Sequence, residues 1–311
     1  IDPHIDSWPL DHSQLSQALN DAAVIAGING ENPTKYVYDN NGKFDSVLGF
    51  HGLEFVLFRN GQNRTIAAFN AEKETETGLT SVKTIDEAAF AVAVAGDLRN
   101  MTYLLEYGWL GISTPLSHQK QLADAMWVIN GTRHQGLSPK KLPYRDYLRY
   151  TTTEQGWFPT WHEALQNVFV GGCSNICEEV ATQKLGQAYR VATGTGTSED
   201  AANYIESPYS KRSFQDYQDN SIKNSLYGVR GTEIISTPVD NSIMSFLKKY
   251  NYPKYNDLDN ALNEAIGALE AAKKSGVAFI DNPGAAQVKN CIDKVSALND
   301  ALNEAATWIN Q

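Results

Sequence analysis

The sequence predicts an all-α fold arranged as helical bundles. Three observations carry that reading. Apolar residues recur at helical steps through several long segments. Extended signal is thin: only residues 63–66 and 231–235 read as brief strands, and nothing alternates over enough length to build a large sheet. At 311 residues the chain also has room for about two domains. With 42% hydrophobic and 20% charged residues, each half can bury a core of its own.

The elements follow in chain order. Val47-Leu48-Gly49-Phe50 and Phe55-Val56-Leu57-Phe58 flank a polar insert and read as a buried helical run. Residues 84–107 predict a long helix. Thr84 and Glu87 have capping-box spacing, Phe90, Val94, Leu98, Met101 and Leu105 fall at helical steps, and Gly108 reads as the stop. Residues 117–130 predict a helix ended by Gly131. Residues 131–150, continuing to about Pro159, read as a loop and mark the domain junction, giving bundles at 1–155 and 156–311. Residues 161–185 predict another long helix, and 191–203 a mobile loop rich in Gly, Thr and Ser. Residues 213–227 read as a polar helix closed by Gly228, and 241–250 as a short one. Leu262, Ile266 and Leu269 stripe residues 257–275. Val288, Ile292, Val295, Leu298, Leu302, Ala305 and Ile309 stripe residues 285–309. The Asn282-Pro283-Gly284 break joins these two as an αα-hairpin.

Charge excludes some functions. A net charge of −10 argues against nucleic acid, which requires a basic surface, and against anionic lipid. No run of about 20 apolar residues is present to span a bilayer. Three cysteines is an odd count. Cys173 and Cys177 stand one helical turn apart, as small core residues rather than a disulfide. The chain opens Ile1-Asp2-Pro3-His4 without Met or leader, which reads as a processed, cleaved or truncated start that leaves room for export.

Gly49-Phe50-His51-Gly52-Leu53-Glu54 is the most informative stretch. On a helix, His51 and Glu54 share a face at i and i+3, so a ring nitrogen and a carboxylate oxygen can converge on one cation or polar ligand. The flanking glycines bare the backbone for close approach. The spacing alone equally allows a buried hydrogen-bonded pair that only cements packing. The other histidines read as structural. His4 and His12 are exposed or packed in turns, His118 and His162 lie at helix starts, and His134 is in the junction loop. Trp109, Trp127, Trp157 and Trp161 read as core or interface anchors, and Trp8 as either a gap filler or a cleft residue. Of Glu178 and Glu179, one faces solvent and the other is a cleft candidate.

Three stretches together resemble the imelysin family, also known as the iron-regulated protein A or insulin-cleaving membrane protease family. They are Gly49, His51 and Glu54 as Gly-x-His-x-x-Glu, Ile5-Asp6-Ser7-Trp8-Pro9 as Ile-Asp-x-Trp-Pro, and Glu206-Ser207-Pro208-Tyr209-Ser210 with Asp216 and Asn220 behind it. The resemblance implies two helical bundles with a cleft between them. It implies an exported protein, periplasmic or on the outer surface and often a lipoprotein, linked to iron uptake or regulation. Any lipid anchor would sit on a segment absent from this chain, and the helical stretch that usually precedes Ile-Asp-x-Trp-Pro reads as missing, cleaved or separately supplied. His51 and Glu54 are the leading ligand-binding candidates. Asp6, Trp8, Glu206, Ser207, Ser210 and Asp216 are the further cleft candidates, and Gly49 is structural.

A catalytic zinc site needs three protein ligands, an open position and a base for its water. The sequence has no His-Glu-x-x-His, and His51 with Glu54 supplies at most two ligands. Glu206, Asp216 or Asp6 would have to complete an oxygen-rich set, which suits iron or another divalent cation. The expected partner is thus a metal ion or iron-bearing small ligand. A metal-dependent peptidase acting on a peptide or protein, with Glu54 as base, is the alternative, and a non-catalytic scaffold is a further one. A serine-hydrolase reading with Ser207 or Ser210 lacks a Gly-x-Ser-x-Gly elbow.

Overall fold

The computed structural model describes residues 2–71, 83–125, 142–150, 156–219, 222–228 and 236–311. Apart from one two-stranded hairpin, regular structure among these residues is helical, so the all-α expectation holds. The chain divides into two compact units, Ile1–Trp157 and Phe158–Gln311.

In the first unit a series of short helices packs around one long one. The short helices are α1 (Asp2–Ile5), α2 (His12–Asn20), α3 (Ala22–Ile28), α4 (Pro33–Asp39) and α5 (Gly49–Leu57). Their starts are legible in the chain. Asp11 accepts from the Ser13 and Gln14 amides and Asp21 from the Ala23 and Val24 amides. Asn32 accepts from the Lys35 amide, with Pro33 at the first helical position. The hairpin β1 (Phe58–Arg59) and β2 (Gln62–Asn63) follows. The strand expected at 63–66 stops at Asn63, because Thr65 caps a new helix, α6 (Ile66–Phe69), by accepting from the Ala68 amide at 3.2 Å.

The long helix α7 (Thr84–Leu110) is the spine of this unit. Phe90, Ala93, Val94, Leu98, Met101 and Leu104 are buried along it, and α3, α4 and α5 pack against it. Each fully buried large apolar side chain contributes roughly 1.5–3 kcal/mol. Two expectations here need correction. Thr84 and Glu87 do not form a capping box. The Thr84 hydroxyl bonds the Phe69 and Ala71 carbonyls, while Glu87, fully buried, accepts from Arg59 (3.2 Å) and Arg64 (3.0 Å). Gly108 does not stop the helix either. It is buried within it, and Gly111, at φ +59°, takes the left-handed turn that ends it. Helix α8 (Leu116–Asp124) follows, and residues 126–130 of the expected 117–130 helix and its Gly131 stop lie outside the described residues. The junction expected as loop contains helix α9 (Tyr144–Arg149).

The second unit opens with one helical course over 161–192. It comprises α10 (Trp161–Gln166), a π-helical stretch Asn167–Ser174, α11 (Asn175–Glu178), a second π stretch Glu179–Lys184, and α12 (Gly186–Ala192). It therefore extends seven residues past the expected end at 185. The wider π turn changes which side chains face inward. Lys184, at 7% exposure, is buried in consequence. The loop expected to be mobile at 191–203 is tied down by the Arg190 guanidinium on Asp200. Within the expected 213–227 helix the described residues form α13 (Ser213–Asp219) and α14 (Ile222–Tyr227), and residues 220–221 lie outside the described residues. Helices α15 (Ile243–Lys249), α16 (Tyr255–Lys274) and α17 (Ala286–Ile309) complete the unit, and α16 packs along α17 as the expected hairpin. The strand expected at 231–235 lies outside the described residues.

Cys173, Cys177 and Cys291 are free and buried in this second core, as small apolar residues. Burial pushes their thiols up, to about 12 for Cys177 and Cys291. Trp109, Trp157 and Trp161 are exposed, contrary to their expected anchor roles. Trp127 and His134 lie outside the described residues.

Candidate functional site

The first unit assembles Asp6, Gly49, His51 and Glu54. Gly49 opens α5 at φ +70°, a region costly for any side chain. It also makes an antiparallel bridge with Asp6. A β-carbon at this position would lie 2.0 Å from the Ile5 carbonyl oxygen. The glycine therefore lets the N-terminal segment lie directly on the start of α5. Gly52 serves a similar end one turn on, where a β-carbon would meet the Val47 carbonyl at 2.2 Å. Two glycines spaced around the histidine are thus explained by backbone crowding.

That contact delivers Asp6 to the imidazole. Asp6 Oδ1 lies 2.9 Å from His51 Nε2, and Glu54 Oε2 lies 3.6 Å from His51 Nδ1. The ring is buried between two carboxylates, one on each nitrogen. Glu54 is buried with it, whereas the Asp6 side chain keeps 45% of its surface exposed. The two carboxylates face opposite edges of the ring, so His51 and Glu54 do not converge on one point from a single ring nitrogen. Nε2 and Asp6 form one polar pair near solvent. Glu54 stands behind, at ion-pair distance and beyond a normal hydrogen bond.

The same segment is fixed from both ends. Ser7 donates to the Asp45 carbonyl at 2.9 Å, and the Trp8-Pro9 peptide is cis. Trp8 is half-buried. His4 Nδ1 lies 2.8 Å from Asp97 Oδ2 on α7, with Asp97 only 1% exposed. His4 is therefore a tether for α1 rather than an exposed terminal residue. His12 is exposed, as expected, and sits edge-on to Phe55; partial desolvation lowers its pKa against the raising effect of Asp11. His118 lies 2.6 Å from Glu106 and stacks on Tyr103.

The remaining candidates lie in the second unit. Glu206 is buried and accepts from Lys184 Nζ at 2.8 Å. Ser213 donates to the Glu206 carbonyl at 2.5 Å. Ser207 and Ser210 are also buried, and Ser207 holds a left-handed φ of +51°. Asp216 is half-buried on α13. Burial raises the Tyr217 and Tyr204 phenols, and the nearby negative charge of Glu206 adds to both shifts. Glu178 and Glu179 are both exposed, and Glu179 lies 3.7 Å from Lys184. Lys184 is the residue that sequence reasoning missed. A lysine beside apolar residues in a helix reads as a solvated tip, and only the π stretch turns it inward. Its signal was the inverse of that reading, a single cation within an otherwise apolar helical face.

The chain matches the family model described as imelysin over residues 1–303, and it belongs to the imelysin family. Among solved structures, an imelysin peptidase from Bacteroides ovatus is similar at 19% identity and a TM-score of 0.46. That match covers 68% of this chain and 54% of the other, so the chain spans about half the length of the solved one. No curated protein matches the chain. No helix among the described residues is long and apolar enough to cross a membrane.

Proposed function

We propose that this imelysin-family protein binds a metal ion or an iron-bearing ligand through His51 and Asp6, as part of iron uptake or regulation outside the cytoplasm. The observation that carries the reading is the 2.9 Å approach of Asp6 Oδ1 to His51 Nε2, with the imidazole buried and the carboxylate open to solvent. Two donors at about 2.1 Å from a cation in adjacent octahedral positions are about 3 Å apart, so the pair fits one metal without rearrangement. The donor set is imidazole and carboxylate with no thiolate, which suits iron and other intermediate cations. Glu54, on the far ring nitrogen, then orients the imidazole and strengthens its basicity, the usual part of a carboxylate behind a ligating histidine. Two protein donors leave most of the coordination sphere to water or to the ligand's own groups. That is the chemistry of exchangeable cargo. Export and a role in iron uptake are carried by the family resemblance.

A hydrolytic role would ask Glu54 to act as base on a metal-bound water. Its place behind the ring, 3.6 Å from Nδ1, favours orientation instead. The test is metal titration of the purified chain by calorimetry, with Fe(II), Mn(II) and Zn(II). His51→Ala should abolish binding, Asp6→Asn should weaken it at least tenfold, and Glu54→Gln should weaken it about 10- to 100-fold. Affinity should rise as pH increases through the imidazole range, since a ligating histidine must be neutral. Equal affinity in wild type and His51→Ala would refute the assignment.

A further inference from the structure

A polar hollow of about 150 Å³ lies between α4, α7 and α8 in the first unit. The helices approach closely there because residue 96 is glycine. A β-carbon at that position would lie 1.9 Å from the Thr34 hydroxyl oxygen. The walls are almost wholly polar, with Arg99 and Asn100 from α7, Gln121 and Asp124 from α8, and Asn32 and Lys35 at the start of α4. A polar cavity of this kind holds water or a polar solute, whereas an apolar one stays dry.

Charge placement narrows the solute. Lys35 is matched by Asp39 on its own helix. Arg99 has no carboxylate within ion-pair distance among the described residues, and Asp124 has no cation. Yet both line the same hollow, a guanidinium and a carboxylate facing one space without meeting. Asn100, only 1% exposed, lines the same hollow. Its carbonyl oxygen accepts long bonds of 3.4 Å from both Arg99 and Gln121. Its NH2 group donates no hydrogen bond among the described residues.

We propose that this hollow binds a small zwitterion of the α-amino-acid class. A lone anion placed here would meet Asp124, and a lone cation would meet Arg99. A ligand carrying both signs satisfies each, with its carboxylate on the guanidinium and on the Asn100 NH2 and its ammonium on Asp124. The volume falls below the roughly 300 Å³ at which drug-sized pockets begin. It therefore admits glycine, alanine or serine but no peptide. Among the described residues Ala125 is the only apolar side chain in the lining, which also disfavours a large apolar substituent. The site stands independently of the metal reading at His51.

The test is calorimetric titration of the full chain with glycine, L-alanine and L-serine, beside acetate, methylamine and inorganic phosphate as single-charge probes. Arg99→Gln and Asp124→Asn are the variants. Both positions are exposed, so the fold should persist, and circular dichroism verifies it. At least one zwitterion should bind, the single-charge probes should bind at least tenfold more weakly, and each variant should lose at least tenfold in affinity. No binding of any of the three zwitterions would overturn the proposal. So would acetate or phosphate binding as tightly as the amino acids, which would mark a plain oxyanion site. Affinity unchanged in both variants would overturn it as well.

Discussion

Substituting Gly49 with alanine tests the central geometric relation in this molecule. The new β-carbon would sit 2.0 Å from the Ile5 carbonyl oxygen, where ordinary contact begins at about 3.4 Å. The N-terminal segment must therefore retreat by about 1.4 Å, or α5 must unwind its first turn. Two costs add. Holding a residue with a side chain at φ +70° costs roughly 1–2 kcal/mol. Losing the Asp6 bridge to Gly49 costs about 1 kcal/mol more for its hydrogen bonding. The sum is about 2–3 kcal/mol, which lowers the melting temperature of a unit this size by roughly 4–12 °C. The same retreat takes Asp6 Oδ1 from 2.9 Å to about 4 Å from His51 Nε2, outside hydrogen-bond and shared-ligand range. Differential scanning calorimetry measures the first effect and metal titration the second. An alanine variant with unchanged melting and unchanged metal affinity would refute the account of why glycine stands there.

Further expectations rest on other parts of the structure. Lys184→Met should destabilise the second unit by about 3–5 kcal/mol in urea unfolding, because it leaves Glu206 charged and buried without its cation. Adding Glu206→Leu to that variant should recover part of the loss. Arg190 holds the Asp200 carboxyl down to about 2, below its ordinary value of 3.8. Asp200 therefore supports the fold fully above about pH 4 and loses that support as pH falls toward 2. Asp200→Asn should flatten the slope of melting temperature over that window. The three thiols, buried and raised, should resist a thiol-reactive disulfide reagent at pH 8 in the native protein and react fully in denaturant.

Local sequence chemistry was legible where neighbours along the chain decide the outcome. The α16 and α17 stripes bury the residues their spacing selects, apart from Ile266 and Ile292, which are half-buried. Asp11, Asp21 and Asn32 cap the helices that follow them by the same local chemistry, although these helices were not read from the sequence. Misreadings arose where a distant segment competes for the same group. Thr84 and Glu87 have capping-box spacing, but Arg59 and Arg64 arrive from the hairpin region and draw Glu87 into the core. Gly108 resembles a helix stop, yet small residues also serve packed helix interiors, and the packing of α7 carries it on to Gly111.

By itself the sequence determined the helical class, the family, and the pairing of His51 with Glu54 on one turn. Those depend on periodicity and on spacing within a helix, which are local. Only the tertiary structure decided that Asp6 meets Nε2 while Glu54 stands at Nδ1, and that Lys184 turns inward onto Glu206. The edge of a ring facing each carboxylate depends on how a separate segment crosses the helix. The direction of Lys184 depends on a π turn that alters the helical phase. Neither quantity is a property of residues adjacent in the chain.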